Sequence, residues 1–353
     1  MRTRSRFPLR AVIVVFVAAL ALARGSSIDW SIYPAAWGLP TSPQARGTTN
    51  RSFERTPARL QRGRYLADNV LGCFRCHSER DWNSPGAPPV TGKKGAGYVF
   101  VKGAGPVDPR KPPSQVFAPN ITPDPETGAG RWTDDMLARA IRESVDHDGR
   151  PFSSPKFHKG FRNLSDEDLA SVIVYLRSIP AVHNSVPKTT MSASQSAELG
   201  KKIRPLTTTT PEPELSDPVR RGEYLVGIAA CASCHTSDVA EATVHEKELG
   251  GGTLMSDHPD HYVMSPNITM DPSGIGYYDQ AMFIRVMRTG RVGARKLYPI
   301  MPWGHFRKMT DEDLKAIFAF LKIQPRVQHI VDNTEPPTQC RRCLQRHGGG
   351  DRN

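Results

Sequence analysis

The segments Cys73-Phe-Arg-Cys76-His77 and Cys231-Ala-Ser-Cys234-His235 decide the fold and the chemistry of this 353-residue chain. Cys-x-x-Cys-His is the attachment signature of c-type haem, in which both cysteines are joined to the macrocycle and the histidine is an axial iron ligand. A chain with 6 cysteines and 11 histidines contains about 0.003 such segments by chance. The sequence therefore predicts two covalently attached haem c groups. Their attachment residues are Cys73, Cys76, Cys231 and Cys234, and their first iron ligands are His77 and His235.

The N-terminus has the pattern of an export signal. Four arginines among the first ten residues precede an uncharged apolar run, Ala11 to Ala23. This run is shorter than the roughly 20 residues that a membrane-spanning helix needs. We therefore expect residues 1–23 to be a signal peptide, with an uncleaved anchor as the alternative. In either case the rest of the chain is expected in the periplasm, free or associated with the membrane.

The chain is basic, with a formal net charge of +12 at pH 7. A positive surface steers a protein towards acidic redox partners or anionic lipid, and a solvated surface without a special partner is the alternative. The sequence has no nucleic-acid-binding motif. We expect redox partner proteins and no nucleic acid.

The two haem motifs lie in an internal repeat of roughly 150 residues. Four pairs of segments recur in the same order and with similar spacing. They are Arg62–Leu66 and Arg221–Leu225, Pro119–Thr122 and Pro266–Thr269, Gly128–Gly130 and Gly274–Gly276, and Leu164–Leu169 and Met309–Leu314.

Each repeat is predicted to be helical. Apolar residues recur at i, i+3, i+4 and i+7 from Leu169 and again from Leu314, and Pro180 and Pro325 end these closing helices. A middle helix and a helix leading into the haem motif complete each repeat. Because no long alternating strand pattern is present, we predict an all-α fold with two tandem haem domains joined by an extended linker.

The domain boundaries follow from these signals. Residues 55–182 form domain 1 and residues 217–328 form domain 2, and we call them repeat one and repeat two. Residues 183–216 lack apolar periodicity and are predicted to be the linker. Residues 329–353 are predicted to be a flexible polar tail.

The closing helices carry start signals. Ser165 and Thr310 suit their N-caps, and Asp168 and Asp313, three residues on, are expected to complete capping boxes.

Two glycines predict a close helix crossing. Gly63 and Gly222 occupy equivalent places in the first helix of each repeat. Without a side chain, they permit close approach of the closing helix at Tyr175 and Phe320.

Repeat two offers a clear second iron ligand. Met301 lies in Tyr298-Pro-Ile-Met301-Pro302-Trp303, just before the closing helix. A His/Met iron has a raised potential and suits electron transfer. Weaker candidates for this position are Met264, Met282 and Met309.

Repeat one has no methionine at the equivalent place. Met301 aligns with Lys156 when residues are counted back from the acidic start of the closing helix. It aligns with Pro155 when they are counted forward from the middle helix. His158 is two residues beyond Lys156, and we predict it as the second ligand of haem one. The alternatives are an open iron or ligation by Lys156, Lys159, Met136 or His147.

Two further motifs bear on the sites. The carbonyls of Pro119 and Pro266 are placed to accept the free N–H of the proximal histidines.

Cys340-Arg-Arg-Cys343-Leu344 lacks the histidine of a haem motif. It does not predict a third haem, and in an oxidising compartment a local disulfide is expected, with a free pair or an intermolecular link as the alternative.

With the Asn-Ile-Thr, Gly-x-Gly, Met-Pro-Trp and Ser/Thr-Asp-Glu-Asp segments in place, the chain resembles the bacterial multihaem cytochrome c family. In particular, it resembles the cytochrome subunits of membrane-associated alcohol, gluconate and related dehydrogenases. The resemblance implies tandem cytochrome c domains and electron transfer from a periplasmic dehydrogenase towards quinone or a terminal oxidase. The chain departs from the family in having two haem motifs where three are common, and in lacking the distal Met-Pro of repeat one.

These observations predict an electron carrier. The chain is expected to pass single electrons from a periplasmic dehydrogenase or quinol-side donor to a downstream oxidase or cytochrome, without bond chemistry of its own. The alternative is a haem enzyme, either a dihaem peroxidase or a thiosulfate-type dehydrogenase. In that case haem one is catalytic and haem two relays electrons.

Overall fold

The computed structural model describes residues 45–100, 116–153, 155–189, 191–237, 248–258, 261–344 and 346–348. The predicted signal peptide lies outside these ranges. Among the described residues, no helix is long and apolar enough to cross a membrane.

The two repeats have matching sets of helices. In repeat one these are α1 (Pro57–Tyr65, extended by a π-helical turn Leu66–Val70), α2 (Cys73–Cys76), α3 (Asp134–Glu143), a 3-10 helix (Pro155–Asn163) and α4 (Asp166–Leu176). The linker contains α5 (Ala193–Gly200). In repeat two they are α6 (Pro218–Ile228), α7 (Cys231–His235), α8 (Gln280–Thr289), α9 (Trp303–Phe306) and α10 (Asp311–Ile323).

Within the described ranges, four short antiparallel strand pairs accompany the helices. They are β1–β2 (Tyr98–Phe100, Val116–Ala118), β3–β4 (Leu254–His258, His261–Met264), β5–β6 (Arg291–Val292, Arg295–Lys296) and β7–β8 (Thr338–Gln339, Arg346–His347). The described fold is therefore mostly helical, as predicted, with small hairpins that the sequence pattern did not reveal. Such pairs are too short to give a recognisable period-two pattern.

The first and closing helices of each repeat cross at a glycine. A Cβ on Gly63 would lie 1.8 Å from the carbonyl oxygen of Ser171 and 2.9 Å from Tyr175 Cβ. A Cβ on Gly222 would lie 2.7 Å from Phe320 Cβ. Both distances to side chains are shorter than real carbon contacts, so only glycine fits. The predicted crossings are confirmed.

The start of each closing helix differs in part from prediction. Ser165 and Thr310 each accept a hydrogen bond from the amide three residues on, at 3.0 and 3.1 Å, which confirms both N-caps. Their own amides, however, donate to the hydroxyls of Tyr224 and Tyr65, at 3.2 and 3.1 Å. The predicted capping boxes are wrong, because a tyrosine of the opposite repeat takes the place of the aspartate.

The two aspartates instead join the repeats. Asp168 accepts bonds of 2.7 and 2.8 Å from Arg62 of its own repeat and one of 2.7 Å from Tyr224 of the other. Its side chain is 3% exposed. The matching cluster consists of Asp313, Arg221 and Tyr65. One hydrophobic core accordingly contains residues of both repeats.

The linker is more structured than the prediction of an extended segment. Its helix α5 begins with a capping box between Ser192 and Gln195. Near its end, Glu212 accepts a 2.7 Å bond from Ser165, and the Thr210 amide donates to Asp166 at 3.2 Å. This part of the linker therefore packs on repeat one.

The segment predicted as a flexible tail contains buried side chains. His329, Cys343 and His347 are 6%, 1% and 5% exposed. His329 lies 2.7 Å from the carbonyl of Gly250 in repeat two. Up to residue 348, the described part of this segment packs onto the fold.

Candidate haem sites

Each haem motif forms a helical turn that begins after a left-handed residue. Helix α2 follows Gly72, with a φ of +63°, and α7 follows Ala230, with a φ of +56°. Cysteines three residues apart lie on one face of such a turn, so both can reach the same macrocycle. None of the four cysteines of the motifs is joined in a disulfide in the described structure, as thioether formation requires.

The two proximal histidines are oriented by the same backbone contact. His77 Nδ1 lies 2.7 Å from the carbonyl oxygen of Pro119, and His235 Nδ1 lies 2.8 Å from that of Pro266. Because a carbonyl only accepts, Nδ1 carries the proton in both rings and Nε2 keeps its lone pair for a metal. Burial lowers the pKa of both histidines, which favours the neutral, metal-binding form. The carbonyl partners predicted from the sequence are confirmed.

Buried asparagines hold the loops that carry these carbonyls. Asn120 Oδ1 accepts from the Thr122 amide at 3.0 Å, and its Nδ2 donates to the Val182 carbonyl at 2.7 Å. Asn267 makes the equivalent bonds at 2.9 and 2.6 Å. The repeated Pro-Asn-Ile-Thr segment therefore ties each proximal loop to the chain just after a closing helix. Sequence reasoning missed this role, and the exact repetition of the asparagine was its signal.

His158 lies close to the proximal histidine of haem one. Its ring packs against Phe152 and Phe161, with ring centroids 5.1 Å apart in both cases. Burial, together with the charge of nearby His77, lowers the pKa of His158 to about 4. His158 is therefore neutral near pH 7, the form in which histidine binds iron.

The alternatives in repeat one are less well placed. His147 is paired with Asp146, at 2.5 Å. Lys159 is exposed, and Met136 is half-buried on the middle helix. The side chain of Lys156 lies outside the part that the structure describes. Of the described candidates, His158 is half-buried, packs against two aromatic rings and interacts electrostatically with His77.

Met301 occupies a turn just before α9. Its amide donates to the Tyr298 carbonyl at 3.0 Å, and its half-buried side chain packs against the core. The competing Met264 and Met309 are each 1% exposed and are committed to packing. Met282 lies half-buried on α8.

Four buried side-chain donors lack a hydrogen-bond partner within the described ranges, and two of them lie at the candidate haem sites. These two are Arg75 Nε, inside the first haem motif, and Trp303 Nε1, two residues after Met301, whereas Arg139 Nε and Arg142 Nε lie on the middle helix of repeat one. Buried donors are normally paired, and haem carries two propionates that can accept hydrogen bonds. Cysteine pairs outside disulfides, oriented histidines and the two unpaired donors together form a set that fits bound haem.

The segment around each haem motif contacts the predicted distal segment of the other repeat. Arg75 donates from Nη2 to the carbonyl of Ile300 at 2.6 Å, one residue before Met301, the predicted distal methionine. In the other direction, a Cβ on Gly160, two residues after His158, the predicted distal histidine, would lie 3.0 Å from Ala230 Cβ. Ala230 directly precedes the second haem motif. The two candidate sites are therefore neighbours.

His305 is a further residue at this junction that the sequence did not reveal. A Cβ on Gly72 would lie 2.7 Å from His305 Cε1, so the ring covers the start of the first haem motif. Burial and the positive charges of Arg75 and Arg80 lower the pKa of His305 to about 3. Only the contact between repeats distinguishes this histidine from an ordinary surface residue.

Comparisons with known proteins agree with this description. No protein-family model matches the chain. It is 26% identical over 314 residues to the cytochrome c subunit of a quinone-dependent alcohol dehydrogenase of Gluconobacter oxydans. This alignment covers 83% of this chain and 60% of that protein. It is 35% identical over 123 residues to the fructose dehydrogenase cytochrome subunit of Gluconobacter japonicus, covering 34% of this chain and 24% of that protein. A diheme cytochrome c-type protein of Cereibacter sphaeroides is 26% identical over 264 residues, covering 73% of this chain and 83% of that protein.

The chain thus spans about 60% of the length of the alcohol dehydrogenase subunit that it matches. The resemblance predicted from the repeated motifs is confirmed by these relatives.

Proposed function

We propose, from the kinship of the chain with the bacterial multihaem cytochromes c, that it is a dihaem electron carrier rather than an enzyme. The observation that carries this proposal is the duplicated site. Both proximal histidines make the same carbonyl bond, and each haem motif touches the distal segment of the other repeat.

The two haems are proposed to differ in their ligands. Haem one is attached at Cys73 and Cys76 with His77 and His158 as axial ligands. Haem two is attached at Cys231 and Cys234 with His235 and Met301 as axial ligands. Methionine ligation raises the potential of a haem iron. An electron held by the protein is therefore expected to reside on haem two.

The residues of this chain prepare the sites for rapid electron transfer. When bound, haem supplies a one-electron iron couple. The carbonyls of Pro119 and Pro266 fix the tautomer and the plane of each proximal ring. Burial keeps His158 neutral and available as a ligand. Because these groups are already in place, little has to move when the charge on the iron changes.

The junction between repeats supports transfer between the haems. Arg75 belongs to the first haem motif and is bonded to the distal loop of repeat two. His305 of repeat two covers Gly72 of repeat one. We propose that these contacts keep the separation between the two sites fixed.

The proposed partners are a periplasmic dehydrogenase or quinol-side donor and an oxidase or cytochrome acceptor. The names of the relatives support a dehydrogenase partner. The net charge of +12 favours acidic surfaces on these partners. We also propose that the protein is exported to the periplasm and associates with the membrane peripherally or through its N-terminus.

The alternative of a catalytic haem one finds little support in the nearby acidic residues. Glu143 forms an ion pair with Arg46, and Asp146 forms one with Arg150. The ring of His147 is engaged by the same aspartate. These groups stabilise the fold of repeat one, so no free acid–base pair is evident near His158 in the described structure.

Spectroscopy of the holo-protein tests the assignment. EPR and absorption spectra with and without carbon monoxide should show two low-spin haems that do not bind the gas. His158→Ala should open one haem to carbon monoxide and Met301→Ala the other, since each removes one axial ligand.

His147→Ala is the matched control and should leave both haems closed. Opening of haem one by His147→Ala, but not by His158→Ala, would contradict the ligand assignment. A high-spin or gas-binding haem in the wild-type protein would favour the enzyme.

A further inference from the structure

Four metal-binding side chains converge in the segment that follows the closing helix of repeat two. The ligand atoms of His329, Cys340, Cys343 and His347 all lie within 4.8 Å of one another. Neither haem site uses these residues, and the motif Cys340-Arg-Arg-Cys343 has no histidine next to it.

The distances suit one four-coordinate ion. Cys343 Sγ lies 2.9 Å from His347 Nε2, and Cys340 Sγ lies 3.4 Å from His329 Nε2. Tetrahedral zinc with Zn–S near 2.3 Å and Zn–N near 2.0 Å separates neighbouring ligand atoms by about 3.3 to 3.8 Å. Small side-chain shifts would therefore accommodate the ion. A two-iron cluster needs more widely separated ligands than these.

Both histidines present the correct nitrogen. His329 Nδ1 lies 2.7 Å from the carbonyl of Gly250, and His347 Nδ1 lies 2.9 Å from that of Ile330. A carbonyl accepts only, so Nδ1 is protonated in both rings and Nε2 turns its lone pair towards the cysteines. A backbone acceptor on the outer nitrogen is the usual support of a metal-bound histidine.

The site is enclosed. Three of its four residues are buried, with Cys343 only 1% exposed. Four protein ligands with no space for water are typical of structural zinc, whereas catalytic zinc keeps an open position. The Cys-x-x-Cys spacing, followed by a histidine four residues later, is also typical of such sites.

A local disulfide, expected from the sequence, accounts for less of the geometry. Cys340 and Cys343 are not joined in the structure. A disulfide would join the two sulfurs to each other, and the oriented Nε2 atoms of the two histidines would then have no metal ion to bind. Only a metal ion uses all four side chains.

We propose that His329, Cys340, Cys343 and His347 bind one Zn²⁺ in a closed structural site. The ion would fasten the segment after α10 to the proximal side of haem two. His329 is bonded to the carbonyl of Gly250, and the next amide, of Gly251, donates to the carbonyl of His235 at 2.7 Å. A zinc ligand is therefore linked to the proximal haem ligand through two consecutive loop residues.

Metal analysis of the full-length holo-protein is the first test. After incubation with Zn²⁺ and removal of the excess, wild-type protein should hold about one zinc per two haems, as expected for a single closed site. Zinc K-edge absorption should show two sulfur and two nitrogen neighbours. The haem content reports folding independently of zinc, so failure of this proposal and failure of the haem assignment can be told apart.

Variants test the ligands. Cys340→Ser and Cys343→Ser should lose the bound zinc, whereas Arg341→Ala, between the two cysteines, should retain it. If the serine variants do not accumulate haem, alkylation of wild-type protein replaces them. Two thiols should then react only after a chelator removes the metal.

Several outcomes would overturn the proposal. Wild-type protein that binds no zinc would do so, and so would a mass lower by two hydrogens that maps to a Cys340–Cys343 disulfide. Zinc retained in both serine variants, or thiols that react equally with and without chelator, would also exclude this site.

Discussion

His158 is the residue on which the proposed difference between the two haem sites depends. Its ring is packed against two phenylalanines and lies near His77, while repeat two places a methionine in the corresponding loop. The choice of the second ligand sets the potential of an iron whose first ligand is the same. Under the proposed assignment, this one side chain therefore sets the difference in potential between the two sites.

Exchanging the distal ligands should shift the potentials in opposite directions. We expect His158→Met to raise the potential of haem one by on the order of 0.1 V, within the ~0.8 V range that axial ligands cover. Met301→His should lower that of haem two by a similar amount. Spectroelectrochemical titration measures both, with the unaltered haem of each variant as internal reference. An unchanged potential in either variant would show that the residue is not a ligand.

His305 predicts a pH dependence of stability. Its pKa falls from about 6.5 in the unfolded chain to about 3 in the fold, because of burial and of Arg75 and Arg80. The unfolded state therefore takes up the proton first as pH falls, and stability is lost between about pH 6.5 and 3. The loss from pH 7 to pH 5 is about 2 kcal/mol for this residue.

Denaturant unfolding of wild type and His305→Gln at pH 7 and pH 5 checks this expectation. The variant should lose less stability on acidification than wild type, by about 2 kcal/mol. His183→Gln is a suitable control, since its side chain is 65% exposed. Equal acid sensitivity of wild type and His305→Gln would contradict the prediction.

The sequence predicts residues well when their role follows from a local motif. The cysteines, the proximal histidines and the carbonyls of Pro119 and Pro266 belong to short repeated segments, and the structure confirms the carbonyl contacts. His305 could not be predicted, because its environment is formed by contacts distant in the chain. In the proposed zinc site the local Cys340-Arg-Arg-Cys343 motif was visible in the sequence, but its convergence with His329 was not. His329 and Cys343 are fourteen positions apart and are close only in the fold.

At the scale of elements, each repeat depends on a helix crossing with no space for a side chain. The carbonyl oxygen of Ala316 lies 2.0 Å from where a Cβ on Gly222 would be. Backbone atoms of a closing helix cannot move aside as the end of a flexible side chain can. The crossing therefore fixes where the closing helix lies relative to the haem motif.

Two alanine substitutions on helix α6 should have opposite effects. Gly222→Ala is expected to destabilise the fold by about 3 kcal/mol or more, because the helices must separate. Gly227→Ala, on the same helix, meets only Asn163 Nδ2 at 3.6 Å. It should gain up to about 1 kcal/mol from the better helix propensity of alanine. Free energies of unfolding from denaturant titration measure both, and equal effects would show that the crossing is not restrictive.

The closing helices show where a local rule ceases to be sufficient. Ser-Asp-Glu-Asp predicts the N-cap correctly, and the hydroxyl of Ser165 accepts the expected amide. The same rule assigns Asp168 to the cap, but its carboxylate is bonded by Arg62 and Tyr224 instead. An arginine on a neighbouring helix competes more strongly for a buried carboxylate than a backbone amide does.

At the scale of the whole molecule, the exchanged tyrosines make the two repeats interdependent. Tyr65 reaches Asp313 and the amide of Thr310, and Tyr224 reaches Asp168 and the amide of Ser165. Burial raises the pKa of Tyr65 to about 12, and that of Tyr224 is also raised. Both hydroxyls thus remain donors throughout the physiological range. The interface joins the same helices that lead into the haem motifs, so it also fixes the geometry between the two candidate haem sites.

Removing both hydroxyls should uncouple the repeats. Tyr65→Phe and Tyr224→Phe each leave a buried carboxylate with one donor fewer, at a cost of about 1.5 to 3 kcal/mol per bond. In the double variant we expect calorimetric unfolding to change from one transition to two, and electron equilibration between the haems to slow. Tyr175→Phe is the matched control, because its hydroxyl bonds Asp68 within repeat one, at 3.1 Å, without touching repeat two. It should lower stability while leaving a single transition and an unchanged rate between haems. If the double variant behaves like this control, the tyrosine exchange does not couple the repeats, and the haems must be positioned by the junction of Arg75 and Ile300 instead.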